Sequence, residues 1–305
     1  MELSVLIPAH NPRQDSLRRV FDALRGQSVG PRRWELLVVD NASDVPLRGW
    51  LDLSWHPHAT IVREGQLGVT LARARGFRET TGEVIVVVDD DNVLDGDYLE
   101  QVLKVGGMYP HLGSWSGAVR PEFEAGSFHL DGELSHLLTL RDVRKDVWSN
   151  DPAHNASTPW GAGLCLRRAV ARAYLAELSR NPSRTQLDLK GSRLLYGGDT
   201  DIAFAGCRAG FGKGVFACLR LTHLISAERC SLSHLCKVSR GRGYSEVLHH
   251  FLDSGLVSAS EPVGIRRVWD YARLVLRPRW QRSVALAHLS GQRQATREMA
   301  ARAAP

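Results

Sequence analysis

The stretch "EVIVVVDDDNVLDGDYLE", Glu83 to Glu100, sets the terms for the whole chain. Five apolar β-branched residues, Val84 to Val88, run directly into Asp89, Asp90 and Asp91. An unbroken apolar run of this length reads as a strand buried on both faces, the kind found inside a parallel sheet. Three adjacent carboxylates at its end repel one another. At 4 Å and an effective dielectric of about 20, each close pair costs roughly 4 kcal/mol. Water, basic side chains or a bound cation must offset that cost.

Working outward, the first 120 residues alternate between strand and helix patterns. "LSVLIPAHN" reads as strand then turn, and "DSLRRVFDALRGQ" as a helix with Leu17, Val20, Phe21 and Leu24 on one face and Asp15 as N-cap. "WELLVVDNAS" reads as a second buried strand ending in Asp40, and "ATIVREG" as a short third. "GVTLARARGFRETTG" reads as a helix, "EVIVVV" as the fourth strand and "DGDYLEQVLKVG" as the helix after it. Such alternation implies an α/β fold: a Rossmann-like, mostly parallel central sheet with helices on both faces. Ligands of such sheets sit at the carboxyl ends of the strands. Pro8-Ala9, Asp40 and Asp89–Asp91 all fall at such ends and should converge on one crevice.

Farther on, "LGSWSGAVRPEF" reads as a strand, whereas the polar span from about residue 126 to 159 resists assignment. "WGAGLCLRRAVARAY" reads as a Gly-rich strand feeding a helix, "YGGDTDIAFAGCRAGF" as a turn and a helix from near Asp199, and "GVFACLRLTHL" as a strand ending at His223. After Ser231 the chain reads as a helical, basic extension. The expected division is one domain in two halves, residues 1–120 and 121–230, and the extension over 231–305.

The bulk composition excludes several classes. Hydrophobic content of 43% and charged content of 24% are those of a globular protein, and the net charge of +6 leans toward anionic partners without choosing among them. Five cysteines, an odd number with no CxxC pair, argue for free thiols rather than disulfides or a zinc site. The first residues lack a signal-peptide pattern and no run approaches the ~20 apolar residues of a span. The expected location is the cytoplasm, with peripheral contact at the inner face of the plasma membrane as the one membrane association. The first strand is not followed by GxGxxG, and "GFGKGV" (Gly210 to Val215) lacks the spacing of a phosphate loop; it reads as a turn into a strand.

Mg²⁺ and Mn²⁺ take oxygen ligands and leave places for substrate phosphates. In an extended strand, residues two apart share a face, so Asp89 and Asp91 would point together and Asp90 elsewhere. The plain alternative is a solvated acidic turn. Asp40 could accept from a base or a ribose hydroxyl, or cap its turn. Arg73 and Arg75 could meet phosphate, or lie solvated on the helix surface. Asp199 and Asp201 again stand two apart, at a helix start. Asp199 reads as an N-cap or as a general base for an incoming hydroxyl.

Taken in order, "VLIPAHNP", "ELLVVDNAS", "GVTLARARG", "VIVVVDDDN" and "YGGDTDIAF" resemble family 2 glycosyltransferases of the GT-A fold, over roughly residues 3 to 245. "THLISAERCSLSHLCKVSRGRGYS" resembles a tail of bacterial members. The resemblance implies an inverting, metal-dependent enzyme using a nucleoside-diphosphate sugar, a UDP-sugar first, and a glycan or lipid-linked acceptor. Pro8 and Ala9 would line the nucleotide pocket, Asp40 would touch the base, and Arg73 the base or diphosphate. Asp89 and its neighbour Asp90 would serve the nucleotide-sugar side, Asp89 at the ribose. Asp91 would ligate Mn²⁺ or Mg²⁺, with His223 as a second ligand or else a core histidine. Asp199 would be the base. The chain departs from the family at Ala74, where Ala-Arg-Asn-x-Gly has its Asn and this chain reads Ala72-Arg73-Ala74-Arg75-Gly76, and at Gly198, where the family's Glu-Asp has its Glu. The contact of that Glu would then come from elsewhere, with Asp201 the nearest substitute.

The last segment mixes Trp269, Tyr271, Leu274 and Val275 with Arg266, Arg267, Arg273, Arg277, Arg279 and Arg282. It reads either as a basic amphipathic surface for anionic lipid or as helices packed on the sheet domain with Arg outward. Two competing functions remain: a nucleotidyltransferase, which would want a basic Gly-rich loop after the first strand, and a non-catalytic binder of anionic polymers. The polymer reading leaves acidic residues at three strand ends unexplained, and nucleic acid is not an expected partner.

Overall fold

The computed structural model describes residues 1–124, 132–188, 194–257 and 277–303. Its centre is a mixed sheet of nine strands. β1 (Leu3–Ala9), β2 (Trp34–Asn41), β3 (Ala59–Glu64) and β4 (Val84–Val87) are the parallel strands expected from the alternation. β5 (Asn92–Leu94), β6 (Leu112–Phe123), β7 (Val147–Ser149), β8 (Leu164–Arg167) and β9 (Gly212–Ile225) complete it. The spatial order is β3-β2-β1-β4-β8-β6-β9-β5, with β7 also on β9. β8 is antiparallel to β4 and to β6, so the second half of the sheet is mixed rather than parallel.

β1 and β4 lie at the centre, and their alternation explains why both read as continuous apolar runs. Val84, Val86 and Val88 join Leu3, Val5 and Ile7 in one core layer, while Ile85, Val87 and Leu6 join another. α1 (Gln14–Arg25) and α3 (Tyr98–Met108) cover the first layer through Leu17, Val20, Phe21, Leu24, Leu99 and Val102. α2 (Val69–Glu79), α5 (Arg168–Arg180) and α6 (Gly198–Arg208) cover the second through Ala72, Phe77, Val170, Tyr174, Ile202 and Ala205. Burying each large apolar side chain stabilises the fold by about 1.5–3 kcal/mol, so the two-sided strands anchor everything attached to them.

Three elements escaped the pattern reading: β5, β7 and the short α4 (Gly132–Leu137). Each is six residues or fewer, too short to show a period. Asp15 is in the first turn of α1 and does not cap it; the N-cap is Arg13, which forms an ion pair with Asp15 and with Glu124.

The C-terminal part forms α7 (Leu232–Ser254) and α8 (Arg279–Ala303). Ser231 caps α7 by accepting from His234 N, and Gly255 ends it with φ +70°. α8 lies against α7, with Tyr244 and Leu248 packed with Ala295 and Met299. The approach is so close that a Cβ on Gly243 would lie 2.2 Å from His288 O, and one on Gly291 1.9 Å from Arg240 O. Trp269, Tyr271, Leu274, Val275, Arg266, Arg267 and Arg273 lie outside the described residues. Among the described residues, no helix is long and apolar enough to cross a membrane. All five cysteines are free.

Candidate functional site at the strand ends

The carboxyl ends of β1, β2 and β4 meet at one rim. Ala9 is opposite Asp40 in the β1–β2 register, and Asp40 is opposite Arg63 across β2–β3. Pro8 is half-buried and Ala9 buried. The loops after β1 and β2 are pinned together: His10 Nδ1 contacts Asn41 O at 2.8 Å, and Asn11 Nδ2 donates to Asp44 at 2.9 Å. Asn11 (φ 48°) and Ala42 (φ 54°) sit in the left-handed region. For Ala that conformation stores strain, which the surrounding hydrogen bonds must hold.

Asp40 is committed locally. Its Oδ1 accepts from Ser43 N at 3.0 Å, and its Oδ2 from Leu47 N at 3.1 Å and Arg63 Nη1 at 2.8 Å. Burial works to raise its pKa, but these donors outweigh burial and hold it low. Both oxygens thus close the turn after β2, as the capping reading expects.

The Asp triplet answers the repulsion problem with two arginines. β4 ends at Val87, and Asp89 to Asn92 form a turn closed by Asn92 N donating to Asp89 O at 3.1 Å. Strand alternation therefore does not govern the triplet. Asp89 lies 3.8 Å from Arg73 Nη2 and accepts from Asn92 Nδ2 at 3.0 Å. Asp91 Oδ2 accepts from Arg229 Nη1 at 2.6 Å and is 3.4 Å from His223 Nε2. Asp90, expected to point elsewhere, lines a cleft of about 300 Å³ together with Asp91, Asn11, Arg13, Glu122 and Arg229. Burial, then the charges of Asp91 and Asp89, pushes the Asp90 carboxyl up to about 8. Burial works to raise Asp91 as well, but His223 and Arg229 overcome it and hold that carboxyl at about 2.

His223 reaches Asp91 because β5 pairs antiparallel with β9, with Asn92 opposite His223. Its Nδ1 is 3.1 Å from Leu138 O, which can only accept, so Nδ1 carries a proton, and in the neutral ring, the form that binds a cation, Nε2 holds the lone pair. Asp91 Oδ2 and His223 Nε2 thus present an oxygen and a nitrogen donor to one point. That donor set fits a divalent cation of the Mn²⁺ or Mg²⁺ kind with its remaining places open to phosphate and water. Among the described residues, no group of three or more His, Cys, Asp or Glu gathers at such a point.

On the other side of Asp89 stands Arg73, 5% exposed on α2. Its Nη1 donates to Asp188 Oδ2 at 3.1 Å, and Thr70 Oγ1 donates to the same oxygen at 3.2 Å. Burial pushes the Asp188 carboxyl up to about 6, with Arg73 offsetting part of the effect and Asp199 adding to it. Asp199 is in the first turn of α6 and is not its cap; the N-cap is Gly197. Asp199 Oδ2 accepts from Gly161 N at 2.7 Å, and a Cβ on Gly161 would touch both Arg73 Nη2 (3.1 Å) and Asp199 Oδ2 (3.5 Å). Arg73 therefore joins the acids after β4 to those at the start of α6.

Asp188 was not legible in the sequence, and it explains Gly198. A Cβ at 198 would lie 2.3 Å from Asp188 Oδ2 and 2.8 Å from its Cγ. The carboxylate of Asp188 fills the space that a side chain at 198 would need. Asp201, the substitute expected from the sequence, is elsewhere: fully buried, hydrogen-bonded to Arg184, with Arg208 at 3.6 Å and His249 at 3.8 Å. It ties α6 to α7. Arg75 pairs with Glu79 at 2.8 Å on the outside of α2, the surface role. Lys213 of "GFGKGV" is buried in β9, bonded to Asn155 at 3.1 Å and Ser157 at 3.2 Å, and takes no part in the site.

Residues 4–151 match the sequence model of Glycosyl transferase family 2. The chain is similar to the dolichol-phosphate mannosyltransferase of Pyrococcus furiosus, at 36% identity over 98 residues, 30% of this chain. It spans about a quarter (26%) of that relative's length. Its fold is similar to the crystal structure of S. aureus TarS 1–349, with a TM-score of 0.52 at 12% identity, over 98% of this chain and 91% of that one. Residues 4–151 are thus similar to glycosyl transferase family 2, and the chain has a GT-A-like α/β fold.

Proposed function

We propose that the protein transfers a sugar from a nucleoside-diphosphate sugar, a UDP-sugar in the first instance, to a hydroxyl of a glycan or other glycoconjugate, with inversion at the anomeric carbon. The observation that carries this reading is Arg73: one buried guanidinium charge is shared by Asp89, Asp188 and Asp199. Asp89 after β4, Asp188 and the start of α6 therefore lie around one buried charge. Asp199, held by Gly161 N, takes the proton of the acceptor hydroxyl as its oxygen attacks the anomeric carbon from the side opposite the diphosphate. The bond to the diphosphate breaks as the new glycosidic bond forms. Arg73 and the backbone at Pro8-Ala9 orient the donor. Asp91 and His223 would hold Mn²⁺ or Mg²⁺, which supplies Lewis-acid neutralisation of the leaving diphosphate.

The test is a thermal-shift panel of UDP, GDP, dTDP and CDP, each with and without Mn²⁺, since a specific ligand stabilises the fold by mass action. One nucleotide should stand out and require the cation. Asp91→Ala should remove the cation-dependent part. Asp199→Ala should keep nucleotide binding and lose turnover by at least ~10²-fold. Full turnover in Asp199→Ala refutes the base, and no nucleotide-dependent shift refutes the donor class.

A further inference from the structure

Arg229 occupies the point on which the two cation ligands converge. Its Nη1 is 2.6 Å from Asp91 Oδ2 and 2.7 Å from His223 Nε2. Both lone pairs that would bind a divalent ion are thus engaged by one guanidinium nitrogen. Asp91 and Arg229 stand 138 positions apart in the chain, so the contact is built by tertiary structure. Arg229 and Arg73 differ in their freedom. Arg73 is buried on a helix. Arg229 lies on the short 3-10 turn Ala227–Cys230, and its side chain is 39% exposed. It also lines the cleft beside Asp90 and Asp91, so a guanidinium that leaves Asp91 has space to enter.

We propose that Arg229 is a resident counter-ion of the cation site: it holds Asp91 and His223 together in the cation-free protein and must swing into the cleft before Mn²⁺ or Mg²⁺ binds. The inference rests on the reading of Asp91 and His223 as cation ligands. An ion cannot share Asp91 Oδ2 and His223 Nε2 with a guanidinium nitrogen, because like charges would lie within bonding distance of the same atoms. Arg229 therefore sets the cation affinity by competition. It keeps the acids neutralised until the cation arrives.

The test is Mn²⁺ binding to the full chain without nucleotide, by titration calorimetry at constant pH and ionic strength. The wild type is compared with Arg229→Ala, Arg229→Gln and Asp91→Ala. Removing the competitor should tighten Mn²⁺ binding about tenfold, or ~1.4 kcal/mol, in both Arg229 variants. In chelator the same variants should melt at lower temperature than the wild type, because Asp91 has lost its partner, and Mn²⁺ should raise their melting temperature by more than it raises the wild type's. Arg229→Gln keeps a hydrogen-bond donor without the charge, so it reports competition even where the Ala variant folds poorly. Unchanged or weaker Mn²⁺ binding in both variants overturns the counter-ion role, while wild-type binding that is lost in Asp91→Ala leaves the cation site standing. Absence of Mn²⁺ binding in every form overturns both.

Discussion

Gly198→Ala should be harmful for one reason only, and removing Asp188 should make it harmless. Gly198 has no positive φ, so Ala meets no backbone strain there. Its Cβ would fall 2.3 Å from Asp188 Oδ2 and 3.2 Å from Thr70 Oγ1. The carboxylate must move, and in moving it leaves Arg73, whose Nε has no hydrogen-bond partner among the described residues. Breaking a buried ion pair costs about 3–5 kcal/mol; the lower end applies because Arg73 keeps Asp89 at 3.8 Å. Replacing Gly by Ala in a helix returns up to ~1 kcal/mol. The net cost in the wild type is therefore about 2 kcal/mol. In an Asp188→Ala background the clash is gone and the same substitution gains up to ~1 kcal/mol. The difference, about 3 kcal/mol, is a coupling at the upper end of those found for touching residues. Urea unfolding of the wild type, both single variants and the double variant, followed by tryptophan fluorescence, measures it. A Gly198→Ala effect of the same sign and size in both backgrounds refutes the claim that Asp188 fills the space at 198.

Two further outcomes follow from charge. Burial raises Asp188 to about 6, above the ~3.9 of a free Asp. Between those values the native state holds the extra proton, so this group's contribution to stability falls as pH rises through the window. The stability of the wild type relative to Asp188→Asn should therefore decline from about pH 4 to pH 6 and level off above; a difference constant with pH refutes the raised pKa. We also propose peripheral contact with anionic membranes through the basic C-terminal segment. Because α8 packs on α7, neutralising Arg266, Arg267, Arg273, Arg277, Arg279 and Arg282 to Gln is a cleaner perturbation than truncation. The full chain should float with anionic liposomes and the neutralised chain should not; equal flotation sinks the idea.

The fold was legible because its central strands are buried on both faces. Val84–Val88 and Leu3–Ile7 needed no tertiary information to be read as interior strands, and the helices between them announced their apolar faces. The antiparallel entry of β8 was not legible, since a four-residue apolar strand carries no mark of direction. Around the candidate site, the residues near strand ends, Asp89, Asp91 and His223, were legible as candidates. Those that arrive from irregular segments were missed. Asp188 follows a 3-10 turn and is 115 positions from Arg73, and Arg229 is on a lone turn after β9. Neither belongs to a periodic pattern, and charge alone does not distinguish them from surface residues. The substitution of Asp201 for the missing Glu failed for a related reason. Sequence neighbours on a helix start point in different directions, and the nearest acid in the chain was not the nearest in space.

The seam between α7 and α8 rests on main chain. Gly243 against His288 O and Gly291 against Arg240 O fix where the last helix lies by the shape of the backbone itself. Such a seat is blind to what the outward residues are. The solvent side of α8 can exchange arginine for glutamate, or glutamine for serine, without shifting the helix axis, whereas a single methyl group on the inner side would prise the pair apart. Variation in this protein's surface chemistry therefore has a natural outlet at its C-terminal end, insulated from the strand-end acids by two glycines.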